Sequence, residues 1–505
     1  MPKFVFLLTD LVLWLLAVGA VFYVWKVRHN RNLRATWRRI ALDAPAMCAA
    51  VLLAVFLVLA MADSIHYRPR LPPAEGAAAD ARVAYGTRTL SVLDSVLSFA
   101  IASREKTYSA PLAYWSFQRE TSVVDGKEVR EYPRLFSGGA LLTDPANQWK
   151  GDLVARSVRG LAGGLALAVL VTGLVAFALG RNYGGWRGAL TAVRRGTTEM
   201  PWRPMLITFA LLALFAGWVA ALWPAYHVFG TDRTGNDVLY QALKSVRTAV
   251  VIGSLSTIAT LPLAIALGLL AGYFKGWVDD IIQYLYTVLS SIPPILLVAA
   301  FVLLINVYID EHAAAFETGV ERAELRLFLL CLILGVTGWA TLCRLLRAET
   351  LKLTELEFVQ AARAFGVSHW RIMRKHVLPN VMHLVLIVAV LDFSALVLYE
   401  AVLSYVGVGV DPNSASFGSM INLARSEMSR DPTVWWNLAT AFVFMLALVL
   451  AANLFADAVR EAFDPRARVF KPRRAVAQPG RQEPAPTMAS PATPVTAPSG
   501  QPVQG

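Results

Sequence analysis

Nine times along its 505 residues this chain runs through a block of about 20 predominantly apolar residues. That is the length a helix needs to cross the hydrocarbon core of a bilayer. The blocks lie at 4–25, 40–62, 159–180, 205–223, 250–273, 284–306, 325–345, 380–404 and 434–456. The fold class they predict is an all-α polytopic membrane protein with nine transmembrane helices. Composition agrees: 56% of residues are hydrophobic and 16% charged, against about 25% charged in soluble domains. The net charge of +12 therefore does not require nucleic acid as a partner, because a positive-inside bias of the loops produces the same sign.

Short-loop charge sets the expected orientation. Residues 26–39 hold Lys26, Arg28, Arg31, Arg34, Arg38 and Arg39 without an acid. Residues 181–204 hold Arg181, Arg187, Arg194, Arg195 and Arg203 against Glu199 alone. Residues 306–324 carry Asp310, Glu311, Glu317, Glu321 and Glu324 against Arg322. One topology fits all three, with the N-terminus outside and the C-terminus in the cytoplasm. Segment 346–379 then faces the cytoplasm, as does the basic run from Arg460 to Arg474. The first block lacks a small-residue cleavage site before the next polar run, so it reads as a retained span.

Two regions are not membrane. Residues 63–158 form a polar, extracytoplasmic segment with several aromatics, among them Tyr108, Tyr114, Trp115 and Trp149. It is long enough for a small domain or for a lobe packed on the membrane helices. From 475 onward the tail 471–505 is mostly Pro, Ala, Ser, Thr, Gln and Gly. Such a sequence buries too little apolar surface to offset ordering entropy, so it is expected to be disordered. Cys48, Cys331 and Cys343 lie in or beside apolar blocks without metal-ligand spacing, which suits packing.

Between two apolar blocks stands EFVQAARAFGVSHWRIMRKHVLPN, residues 357–380. Residues 354–365 are good helix formers without a breaker. A second short helix after the glycine has Ser368 as a candidate N-cap. Gly366 takes the left-handed joint without steric cost. Ala361 and Ala362 leave room for another surface to approach. Pro379 opens the next span where a missing N–H costs nothing. The picture is a helical elbow tied to a span and able to pass force to it; the plainer alternative is an amphipathic loop on anionic lipid.

The spacing of Ala361, Ala362, Gly366, Leu378 and Pro379 resembles the EAA loop of ABC importer permeases. Gln360 replaces the usual acid before the two alanines, and Glu357 fits the peptide-importer form. FGTDRTGNDVLYQALKSVRTAVVIG (229–253) resembles the outside segment of dipeptide/oligopeptide/nickel importer permeases, with Gly230, Thr231, Asp232, Gly235 and Asp237 in place and Asn236 where arginine is usual. GLLAGYFKGWVDD (268–280) and LSYVGVGVDPNSASFGSMINLAR (403–425) resemble two further segments of that family. The likeness covers roughly 205–470. It implies a six-helix type I ABC importer permease core, preceded by three extra transmembrane helices: two in 1–62 and one in 159–204. It also implies a coupling loop for two ABC ATPase subunits, a second homologous permease, an extracytoplasmic solute-binding protein, and a bacterial-type inner membrane with its lipid. ATP–Mg would be used by the partner ATPases. This chain has no Walker A sequence and is expected to bind no cofactor or metal and to catalyse nothing. The extra N-terminal part is read as a receptor-docking lobe, a stabilising lobe, or packing alone.

Within the core, Pro262 and the pair Pro293 and Pro294 are expected to kink helices that shape the translocation path, or to be packing irregularities. Asp392 lies 13 residues past Pro379, about 20 Å along a helix and hence near mid-membrane. An ionisable group there is a functional candidate, the alternative being a hydrogen bond to a neighbouring helix. Glu400 lies towards the outer end of the same span, a candidate for the outside gate. Two other classes remain open on the residues alone. One is a self-sufficient secondary transporter, which would show repeated halves and paired charges. The other is a membrane enzyme or sensor using 63–157, where no nucleophile–base pair is identified.

Overall fold

A computed structural model describes residues 3–463, apart from 71–84, 87, 125–126, 313–315, 317 and 412–413. The expected disordered tail and Glu317 lie outside the described residues. A short strand β1 (Lys3–Val5) precedes helices α1 (Leu8–His29), α2 (Arg31–Leu42) and α3 (Ala44–Asp63). The polar segment holds β2 (His66–Arg68), β3 (Leu90–Ser91), α4 (Val92–Val96), α5 (Ser98–Ala102) and the hairpin β4 (Glu120–Val124) with β5 (Lys127–Glu131). Next come α6 (Pro145–Leu179), α7 (Trp186–Arg195), α8 (Trp202–Leu222), α9 (Val238–Phe274), α10 (Gly276–Ser291), α11 (Pro294–Glu311), α12 (Gly319–Gly338) and α13 (Ala340–Thr354). The chain continues through α14 (Glu357–Ala364), α15 (His369–Ile372), a π-helical turn Met373–Val377, α16 (Leu378–Val406), α17 (Phe417–Glu427) and α18 (Trp436–Phe463). Among the described residues nine helical runs are long and apolar enough to cross a membrane.

Several boundaries differ from the sequence reading, each for a local reason. The basic stretch 26–39 is not a loop. It is the end of α1 and most of α2, whose start is capped by Asn30 accepting from the Asn32 and Leu33 N–H groups. Helix α6 begins 14 residues before the apolar block, because the block reports the greasy part of a helix and not its polar overhang. The expected span 284–306 is broken outright at Ile292 and Pro293. Proline lacks an N–H, and the residue before a proline is pushed out of helical geometry, so tandem prolines divide α10 from α11. Pro262, by contrast, sits inside an uninterrupted α9.

Helix α9 is the hub. Its first half buries Val238, Ala242, Val246 and Ala249 with Phe417, Trp436 and Leu448. Its middle buries Val251, Ile252 and Leu255 with residues of α1, α11 and α12. Its last third buries Ala264, Leu269 and Ala271 against α13 and the start of α16. The 63–158 segment packs on the membrane helices: Leu93, Leu97 and Ala100 share one cluster with Val219, Leu222, Trp223, Tyr226 and Leu239. Strand β1 pairs with β2, and β2 with β3, so both ends of the first helical pair are tied into one small antiparallel sheet. Apolar side chains such as Phe177, Val21 and Leu304 stay exposed on the outer helix faces, as lipid-facing surfaces require.

Candidate functional site

The elbow is built at the far end of α9. The expected single helix 354–365 is interrupted, since Leu356 is extended (φ −73°, ψ 140°) and α14 restarts at Glu357. Gly366 has φ +73°, the left-handed joint that glycine adopts at low cost. There the Val367 N–H donates to the Ala362 carbonyl at 3.1 Å. Ser368 does occupy the N-cap position of α15, but its side chain makes no capping bond. Helix α15 then runs through the π-helical turn into α16, so the second arm of the elbow and the span form one rod, His369–Val406. Leu378 packs on the adjoining core and Pro379 takes the second position of α16.

Each arm is anchored from inside. Val359, Ile372 and Val377 are fully buried with Leu346, Cys343 and Tyr273. Ala362 and Val367 pack on the same cluster. The Arg363 guanidinium lies 5.2 Å from the Tyr273 ring centre, and Tyr273 Oη lies 2.9 Å from His369 Nδ1. Lys275, at the joint between α9 and α10, pairs with Glu355. Outward, the elbow presents apolar surface: Phe365 is 86% exposed and Trp370 70%, with Leu356 and Phe358 also exposed. Glu357, Gln360 and Ala361 lie on this open side. Gln360 Nε2 donates to the Glu355 carbonyl at 3.2 Å.

A second constellation lies at the other end of α9, about 55 Å away along 37 residues. Gly230 and Gly235 both have positive φ, +72° and +76°. A Cβ on Gly235 would come 1.8 Å from the Glu105 carbonyl oxygen. Thr231 Oγ1 accepts from the Ser109 N–H and donates to the Thr107 carbonyl. Asp232 Oδ1 accepts from the N–H groups of Thr234 and Asn236. Asp237 caps α9 through the Tyr240 N–H. Its other oxygen accepts from Trp223 Nε1 at 3.1 Å and lies 2.8 Å from His227 Nδ1. Glu105, from the polar segment, accepts from the N–H groups of Phe136, Ser137 and Gly138 and lies 3.5 Å from His227 Nε2. Burial opposes charge on His227, but bonding to Asp237 and Glu105 outweighs it and lifts its pKa to about 9. Burial likewise opposes charge on Glu105, and His227 with the three N–H groups holds its pKa below the usual value.

Between these ends, α16 carries both acidic candidates. Glu400 is buried and accepts from Ser404 Oγ at 2.6 Å, from Ser416 Oγ at 3.1 Å and from the Gly418 N–H, so its described partners are neutral donors rather than a cation. Asp392 is half-buried. Among the described residues no group of three His, Cys, Asp or Glu is arranged to hold a metal ion.

Sequence reasoning missed the charge network that joins the extra helices to the core. Arg247 of α9 meets Asp10 of α1 and Glu324 of α12, and His66 Nδ1 lies 2.8 Å from Asp10. One turn earlier, Lys244 meets Asp63 of α3 and Asp94 of α4. The signal was present: an acid inside an apolar block, Asp10, demands a counter-charge.

Residues 264–469 match the family described as binding-protein-dependent transport system inner membrane component. The chain is 32% identical over 242 residues to the oligopeptide transport system permease protein OppC of Mycobacterium tuberculosis H37Rv, covering 48% of this chain and 77% of that protein. Against OppC of Haemophilus influenzae Rd the identity is 30% over 243 residues, or 48% and 71% of the two chains. The dipeptide transport system permease protein DppC of Lactococcus lactis subsp. cremoris MG1363 is 28% identical over 241 residues, or 48% and 64%.

Proposed function

Because the chain belongs to the family of binding-protein-dependent transport system inner membrane components, a family of non-catalytic ABC importer permeases in the inner membrane, we propose that it forms half of a translocation path for peptides or peptide-like solutes. A second homologous permease supplies the other half. Two ABC ATPase subunits dock at the elbow on the cytoplasmic side, and a solute-binding protein delivers substrate from outside. ATP–Mg is bound and hydrolysed by the ATPases. The N-terminus faces outside and the C-terminus the cytoplasm, a reading supported by the positive-inside bias of the basic segments between spans.

The observation that carries this reading is the elbow's form. Two exposed aromatics, Phe365 and Trp370, flank a left-handed glycine on arms whose other sides are buried. Exposed aromatics on a rigid base are what a partner's groove takes up. The second arm is one rod with α16, so displacement of the docked ATPase becomes tilt of a span. Two packings selected by nucleotide then give inward- and outward-open states. The names of the relatives support the peptide class.

The test is capture of partners from detergent-solubilised membranes. The wild-type chain brings down two ATPase subunits and a second permease. Phe365→Asp, which changes an exposed side chain, and Gly366→Pro plus Ala362→Arg retain the second permease and lose the ATPases. Capture of no ATPase by the wild type, or equal capture by all three, overturns the coupling role.

A further inference from the structure

Helix α16 carries Asp392 and Tyr399, two polar side chains to which the described residues supply no hydrogen-bond partner, with the buried Ser394 hydroxyl a third. Asp392 lies 14 residues into the helix, about 21 Å along its axis. It makes no hydrogen bond or ion pair among the described residues and is half-buried. Tyr399 lies seven residues further on, and i and i+7 share a helix face. Its Oη is buried and unpaired.

The neighbours fix which way that face looks. Val388, one turn before Asp392, packs on the cluster of Leu269, Leu342 and Leu346. Leu396, one turn after it, packs with Tyr399 on the cluster of Ile252, Leu330 and Leu334. Asp392 thus sits at the seam between two apolar clusters, on the side turned to α9, α12 and α13. A carboxylate at this depth calls for a counter-charge or a water-lined cavity. Other buried carboxylates of these helices have partners: Asp10 and Glu324 face Arg247, Asp63 faces Lys244, and Glu400 takes two hydroxyls.

We propose that Asp392 and Tyr399 form a transient subsite for the primary ammonium group of a passing substrate, a peptide N-terminus or a lysine-type side chain. The inference rests on the reading of this chain as a permease half. The carboxylate supplies the counter-charge, and Tyr399, whose Cα lies about 10 Å further along the axis, supplies a phenol hydroxyl as hydrogen-bond partner. A permanent ion pair to another subunit would seal the carboxylate. A site that fills and empties must be reachable, and Asp392 is half-open.

Two measurements on the full chain, assembled with its partners in proteoliposomes, test this. In the first, Leu396→Cys places a thiol one turn from Asp392, with the unsubstituted chain as blank. A trimethylammonium methanethiosulfonate labels it about tenfold faster than the sulfonate reagent, through the focused field of the carboxylate. Asp392→Asn in the same background removes the preference. A thiol that reacts with neither reagent in any nucleotide state, or a preference that survives Asp392→Asn, overturns the subsite. In the second, uptake of trialanine falls about tenfold in Asp392→Asn, the scale of a lost charge-assisted contact, and stays within about twofold of wild type in Asp392→Glu. Equal loss in both variants assigns a packing role and overturns the proposal, as does equal uptake in all. A wild-type assembly that imports no peptide while the labelling result holds defeats the peptide reading and leaves the cation subsite standing.

Discussion

The Arg247 guanidinium of α9 lies between the Asp10 carboxylate of α1, 3.1 Å from Nε, and the Glu324 carboxylate of α12, 2.8 Å from Nη1. Arg247 and Asp10 are both about 95% buried, at 5% exposure each. The first extra helix is thereby bound to the core by charge as well as by packing. Removing one member of a buried network is costly because the others stay behind unpaired, by about 3–5 kcal/mol. Arg247→Met leaves Asp10 with His66 and Glu324 with the Thr9 hydroxyl, without the guanidinium that joined them, and is expected to lose that much. Asp10→Asn leaves the Arg247–Glu324 pair intact and loses about 1–2 kcal/mol, the scale of a weakened hydrogen bond to a charge. Thermal unfolding of the detergent-solubilised chain checks the order; equal midpoints for Arg247→Met and wild type would refute the clamp.

The Glu105–His227–Asp237 cluster predicts pH dependence at the opposite end from the elbow. His227 has a folded pKa raised to about 9 against an ordinary 6.5. Its contribution is fully present below the unfolded value and is lost as pH rises through about 9. Glu105 is shifted the other way. Its contribution is present above its ordinary value of 4.5 and is lost as pH falls below it. Stability should therefore be level from about pH 5 to 6.5 and decline from there to pH 10. His227→Gln keeps the shape and should flatten the alkaline limb. An alkaline slope identical in His227→Gln assigns the decline to other groups.

How much of this was legible beforehand depended on the range of the interaction. The spans were readable because bilayer burial acts on every residue of a block, so the signal repeats about 20 times. The elbow was readable at Gly366 because a positive φ at one residue selects glycine locally. The break at Ile292 was partly visible, as two prolines, but whether proline bends a helix or ends it depends on neighbours, and Pro262 does not end α9. The pairings Asp10–Arg247 and Asp63–Lys244 join residues 237 and 181 positions apart, and no periodicity carries such a distance. Phe365 and Trp370 could be seen as apolar but not as exposed, since that depends on where Val359 and Ile372 are buried. The polar segment's docking followed from Glu105 reaching the loop around His227, a contact invisible until both chains of hydrogen bonds are drawn.

The third extra helix is joined to the core by glycine. A Cβ on Gly160 of α6 would stand 2.5 Å from the Gly217 carbonyl of α8, and one on Gly164 would stand 2.4 Å from the Ala213 carbonyl. Small residues let helix backbones approach this closely, and the association of membrane helices depends on that contact. Gly163, one residue away, has nothing within 4 Å of a Cβ. The two positions thus make an internal control with the same intrinsic helix propensity change. Gly163→Leu should be neutral or slightly stabilising, because leucine is the better helix former. Gly164→Leu must push α8 away and should cost about 1–3 kcal/mol by overpacking, with more if α6 detaches. A cysteine pair placed across α6 and α8 measures the same seam by disulfide yield, high with Gly163→Leu and low with Gly164→Leu. Equal yields would mean that α6 is held by its other contacts, chiefly Trp218 Nε1 donating to Ser157 Oγ and Tyr226 Oη donating to Asp152, and that the glycines are incidental to the joint.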